Sequence, residues 1–251
     1  MIKTHLDQQI LSIVIDRPEK KNALVQSMYK DIAIAIETAQ EKGAKVILMT
    51  GANNCFTSGN DVADFIRNDS QGEINDTYRF MVALLNCQLP VVAKVEGLAI
   101  GIGTTMLLHC DFVLANIDTK FAMPFINLGL VPEYASSYII PRTAGYLKAN
   151  ELLLLGETFD VNMAKECGII NNSFDAESLD AEVTTLIAKL KAKPLEALVA
   201  SKTLIRNQLH GVQKHIDDEL KVFARAMQSD AAIEAFEAFM QKRPINTDIY
   251  K

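Results

Sequence analysis

A lone carboxylate and a pair of glycine turns are the features of this chain best suited to chemistry. Glu133 stands in Leu130-Val131-Pro132-Glu133-Tyr134, an acid among apolar neighbours. Gly97-Leu98-Ala99-Ile100-Gly101-Ile102-Gly103 follows the β-like run Val91-Val92-Ala93-Lys94-Val95. Glycine lets backbone N–H groups approach a ligand closely, and an acid kept from water holds its proton nearer neutrality. Enolate chemistry needs both: a base to take the proton and fixed donors for the negative charge that results. An ordinary strand–turn–helix junction carries the same glycines, and an acid after proline is common at a solvated helix start. Taken singly, the features leave both readings open.

Other chemistries lack their residues. Gly101-Ile102-Gly103 has no third glycine for a dinucleotide fingerprint, and no Gly-Lys-Ser/Thr P-loop occurs. HExxH is absent, and the four histidines (His5, His109, His210, His215) are scattered, so no metal is expected. There is no Gly-x-Ser-x-Gly elbow, and Ser136-Ser137 reads as a helix start rather than a nucleophile. Cys55, Cys87, Cys110 and Cys167 have no CxxC spacing, which suits buried or free thiols in a reducing compartment. With no signal-peptide pattern at the N-terminus and no Ser-Lys-Leu ending, a cytoplasmic protein is expected.

These residues need elements to carry them. At 251 residues and 49% hydrophobic composition the chain can bury one large core or two unequal ones. Its 25 basic and 31 acidic residues give a net charge of -6, which argues against nucleic acid or an anionic membrane as partner. Ile10 to Asp16 alternates as a strand, and Arg17 to Asn22 reads as the loop after it. Met28, Ile32, Ile36 and Ala39 recur at helical spacing, with Ser27 as N-cap and Gly43 as stop. Val46 to Thr50 is nearly all apolar, as a strand covered on both faces would be. A polar loop follows, then helix and loop from Val62 to Gly72, and a helix from Tyr78 to Asn86. After Gly97 come a short apolar helix, Thr104 to His109, and a strand, Phe112 to Ala115. Such alternation predicts crossovers and a largely parallel sheet, hence an α/β fold.

Beyond about residue 140 the strand signals fade and successive segments favour helix. Leu195, Leu198, Val199, Ile205 and Leu209 form one apolar stripe, and Ile233, Phe236 and Phe239 another. Both need a partner surface, either the core or a second subunit. The most apolar stretch, Leu98 to Ala115, contains Gly101, Gly103, His109 and Asp111, and reads as a buried soluble segment rather than a membrane span.

Three segments together resemble the crotonase (enoyl-CoA hydratase/isomerase) superfamily. Arg17-Pro18-Glu19-Lys20-Lys21-Asn22-Ala23-Leu24 is similar to its N-terminal coenzyme A loop, and Phe56-Thr57-Ser58-Gly59-Asn60-Asp61-Val62 to its Phe-x-x-Gly-x-Asp turn. Lys94 to Gly103, leading into Cys110-Asp111, is similar to its second glycine turn, helix and strand. Gly145 to Ile170 continues the likeness, which runs from about Ile10 to Lys242. The resemblance implies a crotonase-like ββα spiral core, assigned to residues 1–195, and a C-terminal helical trimerisation region, 196–251. The spiral comes from the resemblance; patterning alone reaches only α/β with a helical C-terminus. A homotrimer or dimer of trimers is implied as well.

The resemblance also implies roles. The family holds an acyl-CoA thioester with its carbonyl oxygen between two backbone N–H groups, which fall here on Asn60 and Ile102, with Gly59 and Gly101 turning the chain. Hydratases of the family use two glutamates, and Thr105 and Phe125 stand at those positions. Relatives of the peroxisomal Δ3,Δ2-enoyl-CoA isomerase type carry a glutamate in a Pro-Glu-x-x-Ser-Ser setting, matched by Glu133, and share the turn Ser58 to Asp61. The implied activity is a Δ3-to-Δ2 double-bond shift in unsaturated fatty-acid breakdown, with Glu133 as sole base and Leu130, Val131 and Phe125 as apolar walls. Coenzyme A, part of the substrate and not a separate cofactor, would lie across Lys20, Lys21, Ala23 and Leu24. The turn residues Ser58, Gly59, Asp61 and Val62, together with Gly101 and Thr105, complete the substrate side. Met123 to Phe125 and the loop from Asp64 to Glu73 would line the acyl chain. Phe239 and Lys242 resemble C-terminal positions that reach coenzyme A. Other acyl-CoA reactions on the same platform, or a module that binds coenzyme A without turnover, stay open.

Overall fold

The computed structural model describes residues 1–67, 73–207 and 211–250; side chains 65–67 and 73–75 lie outside it, as do most of the expected acyl-side loop and Leu209. An antiparallel hairpin, β1 (Ile2–Asp7) and β2 (Ile10–Ile15), leads through a 3-10 turn at Pro18–Lys20 to α1 (Gln26–Glu37) and β3 (Val46–Gly51). Then come α2 (Val62–Arg67), α3 (Glu73–Leu85), β4 (Val91–Val95), β5 (Leu98–Ile100) and α4 (Ile102–Thr105), which tightens into a 3-10 turn at Met106–His109. Next are β6 (Phe112–Asn116), β7 (Lys120–Ala122), a 3-10 turn at Ile126–Leu128, α5 (Ser136–Thr143) and α6 (Tyr146–Asn150). The remaining elements are β8 (Thr158–Phe159), α7 (Val161–Glu166), β9 (Asn172–Phe174), α8 (Leu179–Lys191), α9 (Leu195–Arg206), α10 (Val212–Met227) and α11 (Asp230–Gln241).

Two sheets form. The large one runs β1-β2-β3-β4-β6-β9, parallel from β2 onward, and the small one runs β5-β7-β8. Thr57 joins the small sheet by a parallel bridge to Ala99, which pairs in turn with Phe121. The chain therefore coils: β3 then Thr57 then α2, β4 then β5 then α4, β6 then β7 then the Ile126–Leu128 turn. Each turn of the coil sets one strand in each sheet and then a helical segment, the expected ββα spiral.

Burial explains why the strands read as they do. Val46, Val92 and Leu114 face α8 through Leu179, Val183, Ile187 and Leu190, whereas Met49, Ala93 and Val113 face the main core. Both faces are covered, so the strands are apolar almost throughout. Val212, Ile216 and Phe223 of α10 and Ala232 and Phe236 of α11 join that same main core. No helix among the described residues is long and apolar enough to cross a membrane.

Some expectations fail locally. Ser27 does not cap α1: Val25 is the N-cap, and the Gln26 N–H is taken from across the fold by Asp64 Oδ2 at 3.2 Å. Strands β8 and β9 lie beyond residue 140, too short for any periodicity to register. The stripe on α9 is buried only in part: Leu195 and Leu198 pack against the core. The buried residue there is Lys202, whose Nζ reaches Asp111 Oδ2 and the Leu89 carbonyl at 2.5 Å each, while Ile205 is 71% exposed. The second stripe splits: Phe236 is buried, whereas Ile233 and Phe239 are exposed.

Candidate active site

The two glycine turns end neighbouring strands of the small sheet. Because Thr57 sits opposite Ala99, Asn60 and Ile102, each three residues further on, occupy corresponding places on adjacent turns of the coil. Gly59 has φ +91°, and a Cβ there would stand 2.7 Å from the Ile100 carbonyl oxygen. Gly101 has φ 57° and ψ -121°, a conformation costly for any other residue. The turns are thus pressed together at positions only glycine fits. Among the described residues, neither the Asn60 nor the Ile102 backbone N–H donates to a protein oxygen. For Ile102 this follows from opening α4, where first-turn N–H groups have no acceptor inside the helix.

The coenzyme A loop expected from the sequence is zipped onto the first turn. Leu24 N–H donates to the Gly59 carbonyl at 2.8 Å, Asp61 N–H to the Leu24 carbonyl at 2.9 Å, and Ser58 N–H to the Lys21 carbonyl at 3.0 Å. Ala23 and Leu24 are buried, and Lys20 and Lys21 are exposed. Val62 opens α2, and Asp61 Oδ1 accepts the Ala63 N–H at 3.0 Å. Two residues of that loop to which the sequence reading gave no role of their own fasten this corner. Arg17 Nη1 meets Asp61 Oδ2 at 2.7 Å, and the fully buried Asn22 donates to the Ala52 and Cys55 carbonyls. Burial would raise the Asp61 carboxyl, but Arg17 and the Ala63 N–H hold it below its ordinary value. Beneath the turn, the buried Tyr29 hydroxyl donates to Asn60 Oδ1.

Glu133 approaches from the third turn of the coil. It is 2% exposed, and its Oε1 accepts from Thr105 Oγ1 at 2.5 Å, one turn of α4 from Ile102. Burial pushes its pKa up to about 8 against the opposing pull of the Thr105 hydroxyl, and the Glu219 carboxylate adds to the rise. Phe125 Cε1 stands 3.9 Å from where a Cβ on Gly101 would be, and its ring meets Phe223 of α10 edge-on at 6.5 Å. Leu130 is buried beside it and donates its N–H to the Phe125 carbonyl at 2.9 Å. Phe125 and Leu130 thus put apolar surface beside the second glycine turn. Phe239 and Lys242 stand apart, exposed at the end of α11.

The turn behind Glu133 is strained. Tyr134 and Ala135 have φ of 58° and 56°, and two consecutive left-handed residues other than glycine cost on the order of 1–3 kcal/mol each. His109 Nε2–H donates to the Tyr134 carbonyl at 2.8 Å, with the rings stacked at 3.8 Å, and the Tyr134 hydroxyl donates to the Met81 carbonyl at 2.9 Å. Burial lowers the His109 pKa to about 3, so it stays neutral in that role. Glu219 Oε2 accepts the Ala135 N–H at 2.6 Å. Sequence reasoning missed Glu219, although a signal existed. With Val212, Ile216 and Phe223 at steps of four, three and four, it is the one acid on an apolar helical stripe. No group of three or more His, Cys, Asp or Glu side chains among the described residues could hold a metal ion.

A family model described as enoyl-CoA hydratase/isomerase matches residues 5–248. The chain is 31% identical over 247 residues to enoyl-CoA delta isomerase 2 of Rattus norvegicus, covering 94% of this chain and 62% of that one. It is 34% identical over 213 residues to a Mus musculus protein named enoyl-CoA delta isomerase 3, peroxisomal, covering 82% and 66%. It thus spans less than two thirds of the length of both. Further relatives are named as hydratases, so the set is mixed in reaction. A solved enoyl-CoA hydratase/isomerase from Pseudoalteromonas atlantica T6c superposes with a TM-score of 0.91 at 36% identity, over 98% of each chain. Matched over nearly its whole length in sequence and fold, the chain belongs to the enoyl-CoA hydratase/isomerase family.

Proposed function

We propose that the chain is a Δ3,Δ2-enoyl-CoA isomerase that works with one acid. The observation that carries this reading is the buried carboxyl group of Glu133 bonded to Thr105, with Thr105 and Phe125 themselves at the positions where hydratases of the family place glutamates. Ionised Glu133 takes a proton from C2 of a 3-enoyl thioester. The electron pair moves through C2 to the thioester oxygen, which accepts from the Asn60 and Ile102 N–H groups. Glu133 then returns its proton at C4 as the double bond settles between C2 and C3, so nothing is added or lost. Apolar walls at Phe125 and Leu130 keep water from adding instead. Fixed donors of this kind are worth about 2.7–4 kcal/mol each.

Coenzyme A lies along Lys20, Lys21, Ala23 and Leu24, with the lysines near its phosphates, and Phe239 and Lys242, which stand apart in this chain, reach coenzyme A held by a neighbouring subunit. The same reading takes the exposed Phe239 and the apolar residues around Tyr146 and Leu147 as faces of a homotrimer or dimer of trimers in the cytoplasm. Incubating 3-enoyl- and 2-enoyl-CoA with the protein in D₂O tests it. Isomerisation with no hydrated product is the expected result. Hydration as the main reaction, or full isomerisation by Glu133→Gln, would refute it.

A further inference from the structure

The left-handed turn behind Glu133 is not held by its own residues. Its strongest outside anchor is Glu219, 84 residues along the chain from Ala135 and 8% exposed. One oxygen accepts the Ala135 N–H at 2.6 Å, and the other accepts the Ser137 N–H at 3.2 Å and the Ser137 hydroxyl at 2.5 Å. Three donors on the segment just after Glu133 thus converge on one carboxylate from α10. A helix that only needed to pack would carry an apolar side chain here, because burying a carboxylate costs more than burying a hydrocarbon of its size. Ser137, His215 and Glu219 also do not line up as a nucleophilic relay. His215 Nε2 and Glu219 Oε1 both meet the same Ser137 hydroxyl, at 3.0 and 2.5 Å.

We propose that Glu219 is a positioning residue for Glu133, holding the Tyr134–Ala135 turn so that docking of α10 assembles the catalytic acid. This rests on Glu133 being the base. Two properties follow. Gln at 219 would offer one acceptor oxygen and an amide N–H₂, leaving one side of the turn facing a donor. The ionisable groups around Glu219 are Glu133 on its loop, His215 one turn earlier on α10 with Nε2 3.6 Å away, and Arg142 of α5, which acts on His215. Burial lifts the Glu219 carboxyl to about 7 against the pull of the Ser137 hydroxyl and the Ala135 and Ser137 N–H groups, so its charge is full only above that pH. Burial keeps His215 below its usual value, with Asp218 opposing and Arg142 and Lys214 adding to that, so His215 does not compensate the Glu219 charge that bears on Glu133.

The test compares Glu219→Gln, Glu219→Met and Glu219→Asp in the full-length protein, reading kcat, KM, the pH profile of kcat/KM and thermal stability with a 3-enoyl-CoA. For Glu219→Gln the expected loss is about 10–100-fold in kcat with KM little changed, the cost of misplacing a reacting group. Its acid limb should also move to lower pH, since a like charge beside Glu133 has gone. Glu219→Met should be folded, less heat-stable than the parent because the Ala135 and Ser137 N–H groups lose their acceptor, and equally impaired, with Glu219→Asp recovering part of kcat. A folded Glu219→Met with parental kcat and an unmoved limb would overturn the proposal, and this holds even if Glu219→Gln fails to fold. If Glu133→Gln is inactive while Glu219→Met is unimpaired, only the role of Glu219 fails. If Glu133→Gln stays active, the isomerase reading itself fails.

Discussion

The two halves of the candidate site are built differently. The donor half, Ser58–Asp61 and Gly97–Gly103, is made of backbone. Strand pairing fixes it, and glycines fit where a Cβ would strike a carbonyl. The acid half is made of side chains. Glu133 depends on Thr105, on two left-handed residues, and on His109 and Glu219 from elsewhere in the fold. Backbone geometry tolerates substitution of most side chains along it, whereas a side-chain scaffold fails when one member is lost. A platform with constant donors and an exchangeable acid is how one fold can serve several reactions on one class of thioester.

That contrast can be broken at either half. Glu133→Gln should lower isomerase turnover by about 10²–10⁴-fold, the range for a lost general base, with the melting temperature retained near neutral pH; steady-state kinetics beside thermal denaturation read it. Gly59→Ala should cost about 10²–10³-fold in kcat, because the methyl group meets the Ile100 oxygen and turns the Asn60 N–H away. Circular dichroism should show the fold retained. The pH profile separates activity from stability. With Glu133 held at about 8, kcat/KM should climb roughly tenfold per pH unit up to that point, since the base must be ionised. Stability should run the other way. A folded value above the ordinary 4.5 means the native state holds the extra proton, so this contribution is full below about 4.5 and is lost as pH rises through about 8. Glu133→Gln should flatten much of that decline in melting temperature. Arg17→Ala, which frees Asp61 at the edge of the donor half, should cost about 2 kcal/mol by chemical denaturation. Phe239→Ala should do least, raising KM for the thioester a few-fold, about 1 kcal/mol, with kcat unmoved.

The two glycine turns were legible in the sequence because their requirements are local, while the donor roles of Asn60 and Ile102 came from the resemblance alone. A glycine is called for wherever φ must be positive and the chain must pass close to another, and Gly59 and Gly101 announce both. The strands Val46–Gly51 and Val91–Val95 were legible for a similar reason, being covered on two faces. Glu133 was visible as an acid among apolar residues, but its surroundings were not. Thr105 is 28 residues away and Glu219 is 84 from the Ala135 it holds, and no spacing rule joins positions that far apart. The burial of Lys202 was not legible for the same reason: its partners, Asp111 and the Leu89 carbonyl, arrive from elsewhere in the chain. The α1 cap, lent by Asp64, followed suit.

The parallel bridge between Thr57 and Ala99 has a metric consequence. Neighbouring strands lie about 4.8 Å apart, and Asn60 and Ile102 follow that bridge by equal steps. The spacing of their N–H groups is therefore gauged by the sheet itself. Two nitrogens about 4.8 Å apart can each reach a single oxygen between them at about 2.9 Å, which is the span one thioester carbonyl requires. Such a ruler has no side chain in it. Apart from the two glycines, substitution along either turn can recolour the walls around the oxygen, while a slip of strand register would change the width of the seat.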